Sequence, residues 1–90
     1  MKVLRANGTN EDVALTPQSL ATLQKLVGGY IEFFEFDDGT ALIVNEEGKM
    51  HGLPRNEQAT ALTLLKRRPE VIAGDCVFLS YAENRIMQAE

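Results

Sequence analysis

The chain holds one cysteine, one histidine, three prolines and no tryptophan in 90 residues. The lone cysteine, Cys76, excludes an intrachain disulfide framework, so the fold must rest on its apolar core. It also fits a reducing compartment. His51 and Cys76 together cannot fill a zinc site within one chain, so no metal is expected, and no cofactor motif is legible. Basic charge is scarce as well: nine Lys and Arg stand against thirteen Asp and Glu, for a net charge of −4. A domain that grips duplex nucleic acid carries a basic footprint to neutralise phosphates, and this one does not. No apolar run approaches the roughly 20 residues that span a bilayer. The stretch from Met1 to Gly8 lacks the apolar centre of a secretory signal. Duplex nucleic acid and membrane therefore drop out as expected partners, and the cytoplasm is the expected compartment.

What is present suffices for a fold. Apolar residues make up 44% of the chain, near the globular average. The length suits a single domain, residues 1–90. A domain of this size buries only about 60% of its unfolded surface, and a net stability of about 5 kcal/mol is expected. Self-association is a ready way to bury more, so a homo-oligomer is expected.

Periodicity predicts an α+β fold: a small, mainly antiparallel sheet and two helices. Lys2 to Ala6 reads as a strand ending at the turn pair Asn7-Gly8, with Val13 to Leu15 as a return strand. Thr16-Pro17 supplies a cap and a first-turn proline for a helix over 17–27. Leu20, Leu23, Leu26 and Val27 form its apolar stripe, and Gly28-Gly29 ends it. A central hairpin over 30–36 and 40–45 turns at Asp37-Asp38-Gly39, residues that tolerate positive φ. Alternation puts Tyr30, Phe34 and Phe36 on one face and Ile31 and Phe33 on the other. A hairpin apolar on both faces either sits centrally or covers one face with another copy. Asn56 caps a second helix over 57–67 with Ala59, Ala61, Leu62 and Leu65 inward, and Pro69 stops it. Residues 76–81 form a further strand, and 82–90 a return strand or a frayed helix.

Candidate chemistry is sparse. A Cys76–His51 dyad would need an exposed thiol in an electropositive setting, whereas Cys76 opens an apolar strand. Asp37-Asp38 and Glu46-Glu47 stand at opposite ends of one strand, roughly 20 Å apart, too far for a general acid–base pair. Glu32 shares a face with Tyr30 and Phe34 and reads as a solvated edge position. Lys66-Arg67-Arg68 complements the negative end of a helix rather than an anion, and reads as a solvated helix end. The strongest ligand candidate is the stretch Gly52-Leu53-Pro54-Arg55-Asn56, with Lys49 and His51 nearby. It precedes a helix amino terminus, where free N–H groups attract anions, and Arg55 adds a forked donor.

One ordered pattern runs through the middle of the chain. It comprises Gly28-Gly29-Tyr30-Ile31-Glu32, Asp38-Gly39, Val44-Asn45-Glu46-Glu47-Gly48-Lys49, Gly52-Leu53-Pro54-Arg55-Asn56, Ala59-Thr60-Ala61-Leu62 and Gly74-Asp75. Over residues 24 to 80 it resembles domain-of-unknown-function family three-eight-four-six, seen in phages, plasmids and related bacterial elements. The resemblance implies a mobile-element setting and carries no catalytic residues.

The expected function is a non-catalytic binding module of a phage or plasmid, acting by stoichiometric contact with a host protein in counter-defence. Tyr30, Phe34 and Phe36 are the expected interface anchors. The alternative is an oligomer that sequesters an anionic nucleotide signal at Lys49, His51, Gly52, Arg55 and Asn56.

Overall fold

The reversal at Asp37-Asp38-Gly39 organises one half of the sheet. Gly39 takes φ +85°, and the Asp38 side chain accepts the Thr40 N–H at 3.0 Å, so the local sequence closes the turn by itself. In the computed structural model, which describes residues 1–15 and 19–89, this turn joins β3 (Ile31–Glu35) to β4 (Ala41–Asn45). Three further strands, β1 (Lys2–Leu4), β2 (Asn10–Asp12) and β5 (Cys76–Leu79), complete an antiparallel sheet in the order β2-β1-β5-β4-β3. Among the described residues three helices pack on it: α1 (Ser19–Val27), α2 (Glu57–Leu65) and α3 (Tyr81–Ala89). The fold is thus α+β, as the periodicity predicts, with one helix more.

Each sheet face carries its own core. On one face Val3, Ile43, Val77 and Leu79 meet Leu23 and Val27 of α1 and Met87 of α3. On the other, Leu4, Phe34, Phe36, Leu42, Val44 and Cys76 meet Ala59 of α2 and Ile72. Every residue of β4 is buried, which explains why its sequence, ALIVN, shows no polar alternation.

Several expectations need correction. The first return strand is Asn10–Asp12, not Val13 to Leu15, although Val13 still exchanges hydrogen bonds with Met1. The cap at Thr16-Pro17 lies outside the described residues. Leu20, expected in the stripe of α1, is exposed. The hairpin is not wholly central, because β3 forms an edge.

The α2 phase also differs. Thr63 is fully buried, while Ala61 and Leu65 face outward. The Thr63 hydroxyl donates to the Thr60 carbonyl at 2.7 Å and accepts the Glu70 N–H at 3.0 Å. These bonds, with the Asn56 cap, fix the helix rotation more firmly than one leucine on a helix that carries apolar residues on more than one side.

The tail is a helix. Ser80 Oγ accepts the Glu83 N–H at 3.2 Å, and the Glu83 carboxylate accepts the Ser80 N–H at 3.0 Å. This reciprocal capping box starts α3 and cuts the expected strand 76–81 short at Leu79. The Tyr81 ring then packs on Gly39, where a Cβ would overlap it, and Asn84 donates to the Gly39 carbonyl at 2.9 Å.

Candidate functional site

Glu46 to Gly52 form a run of tight turns, closed by hydrogen bonds from the His51 N–H to the Glu47 carbonyl and from the Leu53 N–H to the Gly48 carbonyl. Lys49 and His51 stand exposed on this run, and Gly52 takes φ +67°. Arg55 and Asn56 follow, bridging to Ala73 and Ile72. The five predicted ligand-binding residues are therefore neighbours along one segment, but the side chains of Lys49, Arg55 and Asn56 are committed elsewhere.

Lys49 pairs with Glu70 at 2.6 Å, and its ammonium holds the Glu70 carboxyl below the usual carboxylate range. Arg55 pairs with Glu57 at 2.8 Å, and His51 lies 3.9 Å from Glu47. Asn56 is fully buried: its Oδ1 accepts the Ala59 N–H at 3.0 Å, and its Nδ2 donates to Leu4 and Gly74 carbonyls. The start of α2 is thus capped by Asn56 and carries a carboxylate, Glu57, in its first turn. Both features satisfy the positive helix end that an incoming anion would need.

The adjoining cleft, about 330 Å³, is lined by Glu32, Glu46, Glu47 and Glu70 against the single cation Lys49. Its excess negative charge disfavours an anionic ligand. Among the described residues, no group of three or more His, Cys, Asp or Glu side chains stands together as a metal site.

The reactive pair fares as poorly. Cys76 is fully buried in β5, and burial, helped by the neighbouring Asp75 charge, pushes its thiol up to about 12. Such a thiol stays protonated and is no nucleophile at neutral pH. His51 instead lines a shallow cleft with Gln24, Tyr30 and Asn45.

The expected interface anchors divide. Tyr30 is 69% exposed, but Phe34 and Phe36 are buried beneath α2, their rings edge-on at 5.6 Å between centroids. The basic run after α2, which the sequence suggests is simply solvated, closes this core. The Arg68 guanidinium lies 4.0 Å from the Phe34 ring centroid and donates to the Glu35 carbonyl. Lys66 pairs with Asp38 and lies about as close to the Phe36 ring, at 6.0 Å, as to the Phe78 ring, at 5.9 Å. Edge strand β3 is thereby guarded, with Arg68 on one of its outward carbonyls and Glu32 and Glu35 exposed along it.

A different surface stands open, one that the sequence reading missed. On the outer side of α2, Leu64 is 67% and Leu65 80% exposed, flanking the exposed Ala61. Leu64 and Ala61 also line a groove of about 580 Å³ with Pro69 and Val71. The available signal was that α2 has more apolar residues than one buried stripe can use.

No helix among the described residues is long and apolar enough to cross a membrane. No curated protein and no solved structure matches the chain significantly. A family model does match, over residues 1–88, so the likeness extends beyond the 24–80 stretch on both sides. The chain belongs to the family described as Domain of unknown function (DUF3846).

Proposed function

We propose that this chain is a non-catalytic binding module, carried by a phage or plasmid, that acts by stoichiometric contact with another protein. The observation that carries this reading is the pair Leu64 and Leu65, both more than half exposed on a helix whose opposite side is already buried. The inward side of α2 already packs on the sheet, so these two leucines are apolar surface beyond what that packing uses. The outer side is therefore an interface awaiting its partner. The ion-paired cations at Lys49 and Arg55 and the buried thiol of Cys76 support a contact role over ligand sequestration or catalysis.

A photo-crosslinking residue at Ala61 tests the reading in host cells. It should trap a defined protein, and Leu64→Asp with Leu65→Asp should abolish that product while circular dichroism stays unchanged. A crosslinking pattern indifferent to both substitutions overturns it.

A further inference from the structure

We infer that the partner on the outer face of α2 is a protein whose docking segment sets a lysine or arginine beside an apolar side chain. The apolar side chain packs against Leu64, and the basic one enters the acidic cleft beside Glu32 and Glu46. The inference rests on the reading of that face as an interface and names what covers it.

The cleft and the outer groove of α2 share a wall. Glu70 and Val71 line both, so the cleft continues the surface that carries Leu64. Residues 69 to 73 form the ridge between them. Toward α2 this ridge is held by Thr63 Oγ1, which donates to the Glu70 carbonyl, and by the Ile72 N–H, which donates to Thr60 Oγ1, both at 3.0 Å. Toward the turns it meets Gly48 so closely that a Cβ there would stand 2.8 Å from the Ala73 carbonyl oxygen. The ridge is one extended chain wide, about 5 Å, and Val71 on it is 42% exposed. A single short segment reaching over Val71 can therefore fill both hollows.

Charge selects what enters the cleft. Glu32 and Glu46 are exposed and form no ion pair among the described residues. Lys49, the one cation lining the cleft, is already held by Glu70 at 2.6 Å. Phe34, Val44 and Ile72, all buried, give the same cleft an apolar floor. An acidic rim above an apolar floor suits a long cationic side chain. Its methylene stem lies on the floor while its charged head meets the carboxylates. The net charge of −4 also draws a basic partner toward the chain. A small organic cation would satisfy the cleft and leave Leu64 bare, whereas a segment of this kind covers both.

A library of short random peptides, displayed on yeast and selected on the purified chain, tests this. Enriched peptides should carry a lysine or arginine close to an aliphatic or aromatic residue. Fluorescence anisotropy on one such peptide should show Glu32→Gln and Glu46→Gln each weakening binding about two- to fivefold. Lys49→Ala should strengthen it to a similar degree, because Glu70 is released to the incoming cation. Leu64→Asp should weaken it about thirtyfold, as for a central contact residue. Circular dichroism should be unchanged throughout, since all four side chains are exposed. Enrichment of acidic or uncharged peptides overturns the inference, as does binding indifferent to Glu32 and Glu46. Binding that needs both carboxylates and ignores Leu64 marks a small-cation site and overturns it too. If selection fails in these ways while capture at Ala61 still needs Leu64 and Leu65, this inference falls and the binding-module reading stands. If neither is seen, both fall.

Discussion

Asn56 donates through Nδ2 to the backbone carbonyl of Leu4 at 2.8 Å, joining the start of α2 to β1 across 52 residues of chain. The same amide reaches the Gly74 carbonyl at 2.9 Å, while its oxygen caps the helix at Ala59. One fully buried side chain thereby satisfies backbone groups from three segments.

Asn56→Ala should accordingly destabilise the fold by about 3 kcal/mol, from a lost cap and two stranded carbonyls. Asn56→Asp keeps the cap acceptor, loses both donors and buries a charge, so it should cost at least as much at neutral pH. Urea titration of the two variants measures both effects.

Arg67 should be replaceable to advantage. It has φ +61°, with the Arg67 N–H bonded to the Leu64 carbonyl and the Arg68 N–H to the Thr63 carbonyl. This is a Schellman ending, in which glycine is the usual residue. Arg67→Gly should stabilise the chain by about 1 kcal/mol by removing the left-handed penalty. A lower urea midpoint than wild type would contradict this.

Gly39→Ala should do the reverse. The new Cβ would need φ near +85° and would overlap the Tyr81 ring. The expected loss is about 2 kcal/mol, and amide exchange in α3 should accelerate most, because α3 begins at Tyr81.

Acid should weaken the fold through carboxylates held ionised. Burial tends to raise the Glu83 carboxyl, but the Met1 ammonium at 2.7 Å and the Ser80 N–H outweigh it and hold the group below its ordinary value. Glu70, beside Lys49, and Asp38, beside Lys66 and Thr40, are lowered too. A carboxyl lowered in the folded state adds stability that is fully present above its unfolded pKa. That stability is lost as the pH falls through the folded one. Urea midpoints should therefore fall below about pH 4.5. Glu83→Gln should flatten the decline most, since the Asp38 and Glu70 pairs are more exposed and contribute less.

Cys76 should resist a thiol reagent at neutral pH until the chain unfolds, because the sulfur is buried and protonated. Labelling that outpaces global unfolding would show that β5 opens locally.

The hairpin was legible because Asp38-Gly39 states its turn locally and apolar runs flank it. The start of α2 was legible for the same reason, since Asn56 spells a cap. Its rotation was not: with Ala59, Ala61, Leu62, Leu64 and Leu65 all apolar, periodicity leaves the phase open, and Thr63 decides it through bonds to Thr60 and Glu70. The Ser80-x-x-Glu83 box was readable, but the helix that it starts buries only Asn84 and Met87, too weak a stripe to stand out. At the candidate site, the proximity of Lys49 to Arg55 was plain. That Glu70, 21 residues away, neutralises Lys49 depends on the fold bringing them together.

The strand order carries a consequence for how the chain acquires its shape. Two hairpins, β1–β2 and β3–β4, lie on either side of β5, and that strand is the last of the five in sequence. Neither hairpin touches the other until this keystone slides between them, so closing the sheet waits on the strand that is made last of the five. The barrier to folding should sit at that insertion, with the ribbons forming early and idling. A nascent chain halted before Cys76 would display two half-sheets with open flanks, a state inviting help from chaperones.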